Sequence, residues 1–194
     1  MTGIAGRRAL LLWSGTAVVA MAAMAWVVGT GSTPIDDWFH LFRRSPARKL
    51  LVFTDPYLLT LLLMVGVAIA MSARRWRLAA VMTASPLVGI ALARLLKQLF
   101  GRRIGGELAF PSGHVTAAVV VSGMIVLVAG AAIWAVIAAA AFVVLAILGQ
   151  AVTYHYFTDT IGALLLGSAV VCAAAVAAKL DTRQPNCDAD HSTR

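Results

Sequence analysis

The sequence predicts an all-α, polytopic membrane protein, with a single membrane domain of residues 1–194 that forms a bundle of six transmembrane helices. Composition is the first reason for this prediction. The chain of 194 residues is 61% hydrophobic and 12% charged, with a mean hydropathy of +0.88, whereas soluble domains are roughly 45–50% apolar and about 25% charged. The second reason is that several apolar runs are long enough to cross about 30 Å of hydrocarbon. A water-soluble fold is therefore not expected.

The predicted helices are apolar runs bounded by charged or helix-breaking residues. Four of them lie at residues 9–28, 57–71, 78–96 and 161–178. The uncharged run 115–148 is too long for one crossing, and Gly130 near its middle indicates a tight turn between two more helices. A cleaved signal peptide is the alternative for the first run, which follows two arginines. Residues 57–180 form the expected core, and residues 181–194 form a polar tail.

The segment between the first two helices combines aromatic and basic residues. It contains Ile35, Trp38, Phe39, Leu41 and Phe42 beside Arg43, Arg44, Arg48 and Lys49. This pattern is typical of an amphipathic helix that lies in the membrane interface. A solvated loop with a chance aromatic cluster is the alternative.

The net charge of +8 results from 16 Lys and Arg against 8 Asp and Glu, a balance that by itself would suggest nucleic acid as a partner. Membrane topology explains much of this charge, however, so no nucleic-acid partner is expected. The three arginines at residues 74–77 favour an N-terminus on the cytoplasmic side.

Cys172 and Cys187 are not expected to pair. The sequence also lacks the spacings of a metal-ligand cluster, and we expect neither a metal nor another cofactor.

Two loops carry the chemically distinctive residues, and six crossings place both loops on one face of the membrane. These residues are Lys97, Arg102, Arg103, Pro111, Ser112, Gly113, His114, His155 and Asp159. A helix that begins at Pro111-Ser112-Gly113-His114 favours an anion at its start, because its unpaired N–H groups and its dipole both point outward. His114 would then lie within reach of the bound anion.

His155 and Asp159 are spaced i, i+4, so in a helical turn the carboxylate would accept from one imidazole nitrogen and leave the other free. A histidine oriented in this way is an activated nucleophile or base, so one histidine would attack phosphorus while the other protonates the departing oxygen. Simpler interpretations exist for each part alone, namely a structural hydrogen bond at a helix start and headgroup contacts of a basic loop. The occurrence of these parts together, on one predicted face of a chain with few charges, favours a functional site.

The order of these motifs resembles the type 2 phosphatidic acid phosphatase superfamily, which includes the vanadium haloperoxidases. That family has the motifs Lys-x6-Arg-Pro, Pro-Ser-Gly-His and Ser-Arg-x5-His-x3-Asp. The middle motif is intact here from Pro111 to His114, and the end of the third is intact as His155 and Asp159. The resemblance covers roughly residues 57–180.

The resemblance implies a role for each matching residue. His155 would be the nucleophile that forms a phosphohistidine, Asp159 its orienting partner and His114 the general acid. Lys97 would hold phosphate oxygens with help from Ser112 and the Gly113 backbone. No metal is required in this scheme.

Two departures from the family pattern concern its arginines. Counting from Lys97, the Arg-Pro pair falls on Ile104-Gly105, while Arg102 and Arg103 stand earlier in the chain. Counting back from His155, the Ser-Arg pair falls on Leu148-Gly149. Losing one such arginine without compensation could cost roughly 10²-fold in rate, so we expect Arg102 or Arg103 to bind the phosphate instead.

The leading hypothesis is an integral membrane lipid phosphatase that hydrolyses a phosphomonoester or diphosphate on a lipid. It predicts a multi-pass protein of the cell membrane whose active site faces the extracytoplasmic side. One alternative is a catalytically weakened relative that binds a lipid phosphate or a partner protein without turnover. Another is a small transporter or scaffold in which the polar loops only fix topology. The sequence does not define an oligomeric state.

Overall fold

The structure is a computed structural model that describes residues 2–178, and this part of the chain is helical apart from one short hairpin. The helices, in chain order, are α1 (Thr2–Val28), α2 (Pro34–His40), a 3-10 helix (Pro46–Thr54), α3 (Pro56–Ser72), α4 (Trp76–Phe100), α5 (Gly113–Val128), α6 (Ile133–Ala151) and α7 (Phe157–Ala177). The predicted polar tail, with Cys187, lies outside the described residues.

Five helical segments are long and apolar enough to cross a membrane. They are Ala5–Val28, Pro46–Ser72, Trp76–Phe100, Ile133–Ala151 and Phe157–Ala177. Helix α5 has 16 residues, which corresponds to about 24 Å at 1.5 Å per residue, less than the hydrocarbon thickness of about 30 Å. The structure therefore supports a multi-pass membrane protein with five candidate spans among the described residues, one fewer than predicted.

Helix α5 lies at the centre of the bundle, where it packs against α3, α4, α6 and α7. Its approach to α7 depends on glycine, because a Cβ atom on Gly167 would lie 2.7 Å from Val119. Gly123 lies against Val171 in the same way, and a Cβ on Gly162 would meet the ring of Phe110 at 2.5 Å. These three glycines therefore serve close packing in the bundle.

The end of the bundle at the α5–α6 turn is closed by glycine and arginine. Gly130, at φ +68°, lies in the turn between α5 and α6, as predicted. Arg75 donates from Nη1 to the carbonyl of Val128 at 2.9 Å, and Arg77 donates from Nη2 to the carbonyl of Ala177 at 2.9 Å. The two guanidinium groups thus satisfy carbonyls at the C-terminal ends of α5 and α7, where cations also complement the helix dipole.

The segment between α1 and α3 folds onto the opposite end of the bundle. Pro34 opens α2, and the Thr33 and Asp36 side chains form a capping box there. Phe39 is buried and stacks on Phe157 with ring centroids 4.4 Å apart, while Trp38 is exposed. The segment is therefore a short helix packed on the turn between α6 and α7 rather than a solvated loop.

Several helices extend beyond their predicted bounds, and one hairpin was not predicted. Helix α4 continues to Phe100, so Lys97 lies in its last turn, and α7 begins at Phe157, four residues before the predicted start at 161. Strands β1 (Arg103–Ile104) and β2 (Glu107–Leu108) pair in antiparallel fashion. Their turn is Gly105-Gly106 with φ values of +56° and +90°, which suits a two-residue hairpin.

Candidate active site

The starts of α5 and α7 are joined directly, and this contact builds the site. The backbone N–H of Ser112 donates to the carbonyl oxygen of Asp159 at 3.1 Å. Ser112 is fully buried, and its Oγ accepts from the backbone of Val115 as the N-cap of α5. The two intact motifs, far apart in sequence, therefore meet in space.

His155 lies in the turn that precedes α7, and Asp159 lies in the first turn of that helix. The Nδ1 atom of His155 is 3.5 Å from Oδ2 of Asp159, a close contact whose geometry is too loose for a good hydrogen bond. Asp159 Oδ2 also accepts from the backbone of Tyr156 at 3.1 Å. The carboxylate thus occupies one side of the imidazole, which leaves Nε2 for the cleft that His155 lines.

The guanidinium of Arg102 is buried, with 1% of the side chain exposed, and it holds the other oxygen of Asp159. Nη1 donates to Asp159 Oδ1 at 2.8 Å and to Thr158 Oγ1 at 2.6 Å. Nη2 donates to Asp36 Oδ2 at 2.8 Å, and Nη2 and Nε both donate to the carbonyl of Gly31. All five N–H groups of the guanidinium therefore have protein partners, and none remains for a ligand.

Asp36 is the second carboxylate of this network and is fully buried. Its oxygens accept from Arg102, from the backbone and side chain of Thr158 and from Thr33. Burial alone would raise the pKa of the Asp36 carboxyl, but the hydrogen bonds from Thr158, Thr33 and Arg102 outweigh burial and hold the pKa below its ordinary value. The network thus links α2, the loop after α4 and the start of α7 through ionised groups.

A cleft of about 460 Å³ lies between α3, α4 and α5, and His155 lines its polar end, which we call the mouth. Its polar mouth is lined by Lys97, Gly113, His114 and His155. Its deeper part is lined mainly by apolar residues, which are Leu59, Leu63, Pro86, Leu87, Ile90, Ala93, Ala117 and Val121. The cleft therefore joins a cationic head to a hydrocarbon-lined groove, a shape complementary to an amphiphile with an anionic headgroup.

The predicted residues at the mouth face open space. Lys97 is half-buried, and its Nζ donates to the carbonyl of Leu108 at 2.9 Å, which leaves two N–H groups of the ammonium for a ligand. A Cβ on Gly113 would meet nothing within 4 Å, so a ligand can approach the backbone at the start of α5. His114 is exposed and lines the same cleft as Lys97 and His155. The structure thus brings Lys97, Gly113, His114 and His155 to one cleft.

Four other residues predicted at the site, namely Asp159, Ser112, Arg102 and Arg103, do not line this cleft. Ser112 caps α5, and Arg102 is enclosed by its protein partners. Arg103 is exposed on the hairpin and donates to the carbonyl of Gly106 at 2.8 Å. Neither guanidinium lines the cleft, so the expectation that Arg102 or Arg103 binds the phosphate stays a prediction.

The position of the family's second arginine is closed by backbone. A Cβ on Gly149 would lie 2.6–2.9 Å from backbone atoms of Leu50 and Leu51 in the 3-10 helix. The next residue, Gln150, is buried and donates to Thr54 Oγ1 at 2.7 Å, which ties α6 to the same helix. At the first departure, Ile104 is in β1 and Gly105 is in the hairpin turn.

Two residues of this region, Asp36 and Arg94, were not predicted from the sequence. Asp36 could have been noticed as the fourth residue of Thr33-Pro34-Ile35-Asp36, a capping-box signature, although its partner Arg102 is not apparent from spacing. Arg94 lines the cleft and is spaced i, i+3 from Lys97, which is a readable signal for a shared helix face. Within residues 2–178, no group of three or more His, Cys, Asp or Glu side chains is arranged to hold a metal ion.

Comparison with models of protein families, with curated proteins and with solved structures finds no match to this chain. The cleft and its residues are therefore the basis for inferring a function.

Proposed function

We propose that this chain is an integral membrane lipid phosphatase that hydrolyses a phosphomonoester or diphosphate on a lipid, without a metal, through a phosphohistidine intermediate. The observation that carries the proposal is the cleft, in which Lys97, His114 and His155 line one end of a groove whose other lining residues are mainly apolar. Membership in the type 2 phosphatidic acid phosphatase superfamily is part of this proposal, supported by the contact between its two intact motifs at Ser112 and Asp159.

In the proposed reaction, Nε2 of His155 attacks phosphorus while Asp159 holds the opposite side of the ring. Lys97 and the exposed backbone at Gly113 bind the phosphate oxygens, because a cation and helix-start N–H groups stabilise developing negative charge. His114 donates a proton to the departing oxygen and then takes one from the water that hydrolyses the phosphohistidine. The products are the dephosphorylated lipid, or the lipid monophosphate, and inorganic phosphate.

The proposed topology has six crossings, with α5 as the sixth. Helix α5 packs on helices of the bundle along its length, so a central helix of this kind can be shorter than a lipid-facing one. With the N-terminus inside, six crossings put the cleft mouth on the extracytoplasmic side of the cell membrane. The apolar groove between α3 and α4 then lets the lipid enter from the bilayer.

The test is phosphate release by the full chain purified in detergent, assayed with lipid monophosphates and diphosphates. We expect release by the native protein, and a loss of about 10³-fold or more in the His155→Ala variant because the nucleophile is removed. The matched control is His191→Ala, in the polar tail. Equal activity of the His155→Ala and native proteins would contradict the assignment of the nucleophile.

A second candidate function is a non-catalytic relative that binds a lipid phosphate without turnover. The observation that favours it is the loss of the family's arginines, because Gly149 is covered by backbone and the guanidinium of Arg102 has no free N–H. Saturable binding of a lipid phosphate by a protein that releases no phosphate from any of these lipids would support this second function.

A further inference from the structure

A cation outside every motif lies in the cleft, one helical turn from Lys97 toward the apolar end. Arg94 and Lys97 are spaced i, i+3 on α4 and both line the cleft. Three helical residues correspond to about 4.5 Å along the axis. Beyond Arg94 the residues of α4 in the cleft are apolar, namely Ala93, Ile90, Leu87 and Pro86. Arg94 thus marks the border between the polar mouth and the hydrocarbon-lined groove.

No contact within the described part of the protein accounts for a cation at the position of Arg94. Within residues 2–178 its guanidinium makes no hydrogen bond and no ion pair, and the side chain is exposed toward the cleft. Arg102, by contrast, has protein partners for all its N–H groups. A cation on an apolar helix is costly unless it faces a polar partner. An anionic ligand bound at the level of Arg94 would be such a partner.

We propose that Arg94 binds the lipid-proximal phosphate of a lipid diphosphate and makes the cleft selective for lipid diphosphates over lipid monophosphates. This inference rests on the proposed function. When the terminal phosphate lies at Lys97 and His155 and the hydrocarbon chain lies in the groove, the second phosphate falls between them, at the level of Arg94. A monophosphate places only an uncharged ester linkage at that level.

In the proposed reaction, Arg94 acts on the leaving group. Nε2 of His155 forms a bond to the terminal phosphorus, and the bond from that phosphorus to the bridging oxygen breaks. The electron pair goes to the bridging oxygen, which leaves as part of the lipid monophosphate. Arg94 stabilises the negative charge that develops there, in addition to the proton from His114, and water then releases inorganic phosphate from His155.

The experiment compares farnesyl diphosphate with farnesyl monophosphate as substrates of the purified full chain in detergent. We expect Arg94→Gln to lower kcat/KM for the diphosphate by about 10- to 100-fold, the usual effect of losing a charge-assisted contact, and to change the value for the monophosphate by less than about threefold. Arg94→Lys should recover part of the loss. The matched control is Arg44→Gln, an exposed arginine outside the cleft. Equal loss on both substrates, or no loss on either, would overturn the inference.

Binding separates this inference from the proposed function. In the His155→Ala background, where turnover is blocked, we expect tighter binding of farnesyl diphosphate than of farnesyl monophosphate, and we expect Arg94→Gln to abolish the difference. An Arg94-dependent preference without turnover in the native protein would contradict the proposed phosphatase activity alone. Turnover without such a preference would contradict the role of Arg94 alone.

Discussion

Arg102 connects three parts of the chain through one buried guanidinium. Its ion pairs to Asp36 and Asp159 are both 2.8 Å long, and neither carboxylate is exposed. Because Asp159 also contacts the ring of His155, the position of the proposed nucleophile depends on Arg102. This arginine is therefore a positioning residue, and we infer that the phosphate is bound by Lys97 and the start of α5 instead.

Replacing Arg102 by Gln should destabilise the protein by about 3–5 kcal/mol, because two carboxylates would stay buried without their cation. Arg102→Lys keeps the charge but cannot reach all partners at once, so we expect an intermediate loss. The measurement is thermal unfolding in detergent. Arg103→Gln is the matched control and should change stability by less than about 0.5 kcal/mol; a similar loss in both variants would contradict the role of Arg102.

Asp36 gives the network a defined pH dependence. Its pKa in the folded protein lies below the ordinary value of 3.8, so its contribution to stability is complete above that value and is lost as the pH falls through the lower folded pKa. Asp36→Asn should therefore lose stability at neutral pH and show a weaker further decline in acid than the native protein. Unfolding temperatures from pH 7 down to pH 3 measure this, and parallel curves for the two proteins would contradict it.

The positions of the helices with long apolar runs could be predicted from the sequence, but the residues at which these helices begin and end could not. Helix α4 continues through Lys97 and α7 starts at Phe157, because the boundary residues are polar and hydropathy alone cannot extend a helix into them. The hairpin was missed although Gly105-Gly106 is a strong turn signal, since each of its strands has only two residues. Hydrophobic runs thus locate the bundle but not the loops that carry the polar residues.

The candidate site was predictable where its signal is local. Pro111-Ser112-Gly113-His114 and the pair His155 and Asp159 could be read from short motifs, and the structure brings them together. The ion pair between Arg102 and Asp36 joins residues 66 positions apart, and the contact of Gly149 with Leu50 and Leu51 in the 3-10 helix joins residues still further apart in the sequence. Neither of these two contacts corresponds to a short spacing in the sequence. The sequence therefore could not show that Arg102 is enclosed by protein partners or that Gly149 is covered.

The packing of the 3-10 helix on α6 can be tested with two glycines. Gly149→Ala should destabilise the protein by about 1–3 kcal/mol, because the added Cβ meets the backbone at Leu50 and Leu51. Gly113→Ala should leave the unfolding temperature nearly unchanged, since its Cβ meets open space, while it lowers phosphatase activity by occupying the cleft. Unfolding temperature and phosphate release measure the two effects. Equal stability of the two variants would contradict the packing described at Gly149.

For the molecule as a whole, the basic residues divide between the two ends of the bundle. Arg75 and Arg77 cap helices at the end with the α5–α6 turn, whereas Lys97 and Arg102 lie at the end with the cleft. Helix capping, the buried network and the cleft thus account for part of the charge excess. The proposed lipid substrate is consistent with this distribution, since the cleft end carries cations next to an apolar groove.

Orientation in the membrane follows from the same division. In a background without cysteines, Glu107→Cys on the hairpin should react with a membrane-impermeant maleimide in intact cells. Ser72→Cys, at the C-terminal end of α3 and on the side of the bundle opposite the hairpin, should react only after the membrane is permeabilised. Both side chains are exposed in the structure, so a lack of reaction would not result from burial. The reversed pattern would contradict an extracytoplasmic cleft.

The most direct test of the central claim is to trap the covalent intermediate. Native protein is mixed with a lipid phosphate labelled on its terminal phosphate, quenched in alkali within the turnover time and mapped by mass spectrometry. The account predicts a phosphoryl group on His155, and predicts that the label is lost in His155→Ala and accumulates in His114→Ala when the substrate has a good leaving group. Turnover of the lipid with no label on His155, or with the label on another residue, would contradict it.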